Sequence, residues 1–164
     1  MRYIVFIIIY IFTNLLISKD KIDEERYEYL IDINGTMEII KEHSEVDYVF
    51  IEQPFMAFSG GKTTAATMAK LQRFNGMCSY VVHNLFGGPA TLLQANKARG
   101  LVDLKIKRGD NTKLKVIEWV SDKYPKEFIV EYTRHGNPKP TTYDMADAIV
   151  VARAGIELLN EESS

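Results

Sequence analysis

Val46-Asp47-Tyr48-Val49-Phe50-Ile51-Glu52-Gln53-Pro54-Phe55 is the stretch on which the reading of the fold turns. Apart from Asp47, the residues from Val46 to Ile51 are apolar or aromatic, the pattern of a buried strand. Pro54, which has no amide hydrogen to give a sheet, ends it. Glu52 therefore stands where a buried strand stops. A carboxylate there is costly unless something pairs with it, so Glu52 is either a functional ligand or a hydrogen-bonded structural acid. A second acidic place lies near the other end of the chain, in Tyr143-Asp144-Met145-Ala146-Asp147-Ala148. Asp144 and Asp147 are three positions apart at a helix start, so both carboxylates project on nearly the same face. The helix N-terminus favours their ionised form, yet like charges so close repel unless a cation or basic residue neutralises them. Their apolar neighbours, among them Tyr143, Met145, Ala146 and Ile149, turn this part of the helix inward. The spacing alone serves a metal site and a helix cap equally well.

Outward from the Val46 strand, Asp20 to His43 is charged and helix-like, with Tyr27, Leu30, Ile31, Met37 and Ile40 roughly on one side. On the other flank, Thr63 to Val82 suits a helix packed through Ala65, Ala66, Met68, Ala69, Leu71 and Met77, with Thr63 or Thr64 as its cap. Gly87-Gly88-Pro89 breaks the chain, and Leu92-Leu93 begins a short strand or helix. Asn96 to Lys115 is the basic part: Lys97, Arg99, Lys105, Lys107, Arg108, Lys113 and Lys115 outnumber Asp103 and Asp110. Taken alone, such a run is a solvated face. Thr112 is a plausible cap for a helix carrying Val116, Ile117, Trp119 and Val120, and Phe128-Ile129-Val130 reads as a short strand. The loop from His135 to Pro140 precedes a last helix from about Thr141 to Leu159. Helices interleaved with short strands make a mixed α/β domain.

The bulk properties are those of one ordinary globular domain: 164 residues, 46% hydrophobic and 26% charged. The formal net charge of −2 gives no support for a globally basic nucleic-acid binder, although a local patch is what binds phosphate. Cys78 is the only cysteine, which removes an internal disulfide and a cysteine metal cluster and fits a reducing compartment such as the cytoplasm. It reads as a small core residue. Tyr3 to Ile17 is apolar except for Thr13 and Asn14. This run is shorter than the roughly 20 residues of a spanning helix, and no Ala-x-Ala-like site follows it. A buried strand is the reading preferred over a membrane or signal segment. The expected organisation is an apolar segment over 1–17, a folded domain over 18–160 and a polar tail over 161–164.

Ser59-Gly60-Gly61-Lys62-Thr63-Thr64 follows a strand and opens a helix, which raises a nucleotide-binding hydrolase built on Gly61-Lys62-Thr63. A phosphate loop requires a glycine where Met56 stands, so a turn with a capping threonine accounts for it better. Its backbone amides and Lys62 remain able to meet a phosphate. His83 and His135 have no partner acids or cysteines at ligand spacing and read as surface histidines.

Taken together, Ile51-Glu52-Gln53-Pro54-Phe55-Met56, the basic segment with Thr112-Lys113, and Asp144-Met145-Ala146-Asp147-Ala148 resemble RuvC-type Holliday-junction resolvases, particularly the small phage versions. The resemblance runs as an ordered series from roughly Asp20 to Gly155. It implies a ribonuclease-H-like fold, a mixed five-stranded sheet flanked by helices, acting as a homodimer on four-way or branched DNA. It also implies four acids binding two magnesium or manganese ions, of which Glu52, Asp144 and Asp147 match three. By the same match Phe55 stacks on a base near the crossover and Lys113 lies close to the scissile phosphate. Lys62, Lys97, Lys105, Lys107 and Arg108 are the expected phosphate contacts. The family's first catalytic aspartate sits on an early strand, whereas Met1 to Ile17 contain no acid; Asp20 and Asp23 come first, at a helix start. The alternative is a junction-binding protein of the same fold that does not cut.

Overall fold

The structure, a computed structural model, describes residues 46–53 and 65–163, together with Gly35, Met37, Glu38, Lys41 and Glu42, which are helical. Most of the helix expected over Asp20–His43, the whole of 1–17, and the stretch from Pro54 to Thr64 lie outside the described residues.

Of the long apolar run, only Phe50–Glu52 is strand (β1). It pairs in parallel with Thr91–Leu93 (β2), Phe50 opposite Thr91 and Glu52 opposite Leu93. Backbone bonds of 2.8 Å from Thr91 N to Val49 O and from Gln53 N to Leu93 O close the ladder at its two ends. The expected strand over Val46–Ile51 is therefore corrected at both ends: β1 starts later and includes Glu52, because the short β2 offers partners to these residues alone. Successive strand side chains point to opposite faces. Phe50 enters one core cluster with Leu93, Val116, Val150 and Ala154. Val49 and Ile51 enter another with Met37, Cys78, Val81 and Val82.

Parallel strands need a crossover, and here it contains the helix Ala65–Phe86 (α1). It runs further than expected and uses a different face. Met68, Cys78, Val81 and Val82 are buried, whereas Ala65, Ala66 and Ala69 are exposed, and Leu71 and Met77 are only half-buried. Cys78 is the core residue expected of it, and burial pushes its thiol up to about 12. Buried Asn75 donates from Nδ2 to the Glu52 carbonyl at 2.9 Å, tying α1 to the end of β1.

The basic run contains a helix that its charge pattern conceals, Ala95–Leu101 (α2), which buries Ala98. Next comes Thr112–Lys123 (α3), burying Val116, Ile117 and Val120. Its cap is Asn111, whose Oδ1 accepts from Leu114 N at 3.3 Å; Thr112, the expected cap, is the first helical residue. The last helix, Pro140–Glu162 (α4), is longer at both ends than expected and opens on a proline, whose missing amide hydrogen costs nothing there. It packs on α2, α3 and β1. At Gly155 an added Cβ would fall under 3.0 Å from the Phe50 ring, so glycine is what lets α4 lie against β1. Phe128 is buried, but Phe128–Val130 is not a strand; the nearest pairing is a single bridge between Tyr132 and Pro138. Among the described residues no helix is long and apolar enough to cross a membrane.

Candidate functional site

The pleat of β1 puts Glu52 on the side of Phe50, toward α4. On α4, Val151 and Ala154 share the core cluster of Phe50, and Asp147 precedes them on the same helical stripe at i, i+4 and i+7. Asp144 continues it one turn nearer the helix start. The stripe thus leaves the core as it passes the carboxyl end of β1, where Glu52 stands. The outside of the carboxyl ends of parallel strands is where α/β folds leave room for ligands.

Electrostatic interactions link the same residues. Burial pushes the Glu52 carboxyl up to about 7; Asp147 pushes it the same way, Arg99 pulls it down, Asp144 adds to the rise and Lys113 opposes it. Asp147 is also raised, first by burial, with Lys113 and then Arg99 pulling down and Asp144 pushing up. Three carboxylates and two cations therefore share one field, although β1, α2, α3 and α4 supply them from distant parts of the chain.

Lys113, in the first turn of α3, places its Nζ 5.3 Å from the centroid of the Tyr143 ring in the first turn of α4. Arg99 is half-buried on α2, and its Nη2 donates to Asn96 Oδ1. It belongs to the basic run but was not expected among the site residues. Nothing in the sequence sets it apart from the other cations of the run; only the packing of α2 through Ala98 does.

The remaining expected cations are spread more widely. Lys97 is exposed on α2, and Lys105, Lys107 and Arg108 are exposed on the loop between α2 and α3. Lys105 lies 3.3 Å from Asp103, and the Lys107 amide donates to Asp110 Oδ2 at 2.8 Å, which shapes the turn. Phe55 and Lys62, with the Ser59–Thr64 stretch, lie outside the described residues. His83 and His135 are both exposed, as surface histidines are.

In kind, the acids suit a hard divalent cation, which takes carboxylate oxygens. Among the described residues no set of three or more His, Cys, Asp and Glu donors is gathered about one point. Magnesium needs only one or two carboxylates, the rest of its shell being water and substrate phosphate, so pairs drawn from Glu52, Asp144 and Asp147 are the donors on offer. A separate cavity of about 430 Å³ lies between α2, α3 and α4, lined by Trp119, Tyr124 and the Arg153–Glu157 pair among others; the three acids do not line it.

No protein-family model, curated protein or solved structure matches the chain.

Proposed function

We propose that this chain is a metal-dependent endonuclease for branched DNA, of the RuvC-like, ribonuclease-H-like kind that its motifs resemble. The observation that carries the reading is the raised Glu52 carboxyl, which has Asp147 and Asp144 as its acidic neighbours and Arg99 and Lys113 as its cationic ones. Such mutual repulsion is relieved when a divalent cation sits among the acids. Glu52, Asp144 and Asp147 would hold the two magnesium or manganese ions. Bound there, the ions would supply an activated water and stabilisation of the leaving oxygen in an in-line displacement.

The protein's own residues do the rest. Lys113, fixed over Tyr143, offers its ammonium to the phosphate being attacked, and Arg99 balances the acids from the α2 side. Lys97, Lys105, Lys107 and Arg108 form an exposed cationic border that holds the DNA backbone, so binding weakens steeply as salt is raised. Phe55, three residues beyond Glu52, stacks on an unpaired base at the crossover, and Lys62 meets a further phosphate. A homodimer presents two such sites to the two strands of a symmetric junction. The fourth acid of the resemblance is sought first at Asp20 and Asp23.

A second reading rests on the acids matched so far, Glu52, Asp144 and Asp147, three of the four that the resemblance implies. In it the protein binds junctions through the same residues and leaves them uncut. One experiment separates the two: incubation of a synthetic four-way junction with the full chain and magnesium or manganese, beside Asp147→Asn. Symmetric nicks that disappear in the variant support the nuclease. Binding without nicks supports the second reading, and neither binding nor nicks overturns both.

A further inference from the structure

From the first turns of α3 and α4 we infer that Tyr143 is a positioning residue, its ring face holding the Lys113 ammonium ready for a phosphate without neutralising it; this rests on the nuclease reading above. Lysine carries its charge on a flexible four-carbon stem, so fixing it ahead of the reaction removes a cost otherwise met at the transition state. Glu52, Asp144 and Asp147 offer it an obvious resting place, an ion pair. Such a pair would satisfy the ammonium and withhold it from a phosphate. Lys113 rests elsewhere. Among the described residues it forms no ion pair, and its Nζ lies 5.3 Å from the centroid of the Tyr143 ring. Its charge is nevertheless felt by both Glu52 and Asp147. A ring face attracts a cation through its quadrupole and carries no net charge, so the ammonium held there keeps its full charge for an incoming anion.

Both sides of this contact are anchored. Tyr143 is half-buried and packs against the core cluster that holds Phe50 and Val150. It precedes Asp147 by one helical turn, at i and i+4, and Asp144 by one residue. One turn of α4 therefore carries an acid of the cluster and the platform for the cation facing it. Lys113 lies two residues after the Asn111 cap, whose Oδ1 accepts from Leu114 N at 3.3 Å and fixes the start of α3. A leucine at 143 would fill the same place on the core and offer the ammonium no quadrupole. With the ring gone, the nearby carboxylates are the remaining attraction for Lys113.

The test is single-turnover cleavage of a fluorescent four-way junction by the full chain in magnesium, with junction affinity measured separately in chelator. Tyr143→Leu should lower the cleavage rate at saturation roughly 5- to 30-fold. Its affinity should change by less than about twofold, because the charge that meets the backbone is kept. Tyr143→Phe retains the ring face and should cleave within about twofold of the parent. In a Lys113→Ala background, Tyr143→Leu should cost no more than about twofold further, since the ring then holds nothing. Equal rates for Tyr143→Leu and its parent overturn the inference and leave the nuclease reading standing. A loss that persists undiminished without Lys113 also overturns it, making the tyrosine a packing residue. So does a loss that Tyr143→Phe shares, which assigns the effect to the hydroxyl. A parent chain that leaves the junction uncut overturns this inference and the nuclease reading together.

Discussion

Replacing Glu52 by glutamine keeps the shape of the side chain and removes its charge, which makes Glu52→Gln a direct probe of the acidic cluster. The carboxyl rises from its ordinary 4.5 to about 7 on folding, chiefly through burial and then through Asp147. A group whose folded value lies above its unfolded one binds more protons in the folded state across that window. Stability contributed by the neutral form is therefore full below about 4.5, is lost as pH climbs to about 7, and stays lost above it. At about 1.36 kcal/mol per unit, the penalty carried by the ionised side chain at pH 8 is about 3 kcal/mol as an upper figure. For a chain of this length that corresponds to a rise of roughly 6–12 °C in melting temperature when the charge is removed. Thermal unfolding of parent and Glu52→Gln, in chelator at pH 4 and at pH 8, measures it. The two should melt together at pH 4 within a few degrees, and the variant should melt higher at pH 8. Magnesium should then lift the parent more than the variant, since a cation that binds only the folded state stabilises in proportion to its occupancy. A variant that melts at or below the parent at pH 8 would refute the reasoning, for Glu52 would then be a satisfied structural acid.

Two other substitutions follow from the same arrangement. Lys113→Ala removes a charge that lowers both Glu52 and Asp147, so the acidic limb of a cleavage-rate profile should move to higher pH; if Lys113 also meets a phosphate, the salt slope of junction binding should fall by about one. Gly155→Ala pushes a methyl into the Phe50 ring and should cost about 1–3 kcal/mol in chemical denaturation; an unchanged denaturation midpoint would mean that α4 does not bear on β1 as described.

What could be read from the chain alone was the part fixed by local pattern. Asp144 and Asp147 are spaced by the helix itself, so their common face was legible, and Glu52 is marked by the apolar run it ends; that the two places belong together was implied only by the resemblance. The extent of β1 was not, because Val46, Tyr48 and Val49 are as apolar or aromatic as their neighbours and only the position of β2 decides which residues pair. The face of α1 was misread for a related reason. Alanine is tolerated in core and solvent alike, and Ala65, Ala66 and Ala69 carry no signal strong enough to overrule the register set by Cys78 and Val82. Asn111 and Thr112 are both good caps, and only the start of the helix chooses between them. Arg99 was hidden by its company: in a run of cations, the one that turns inward is known only when the helix packs. Gly155 could be recognised only from its neighbour across the core, since a glycine inside a helical pattern does not name what approaches it.

The most direct test of the central claim is cleavage of a synthetic four-way junction in magnesium or manganese by the full chain and by Asp147→Asn. The account predicts paired, symmetric nicks from the parent and none from the variant, with both proteins binding the junction. Nicks of equal yield from the two would contradict it, because the carboxylate placed beside Glu52 and Asp144 would then have no part in the chemistry.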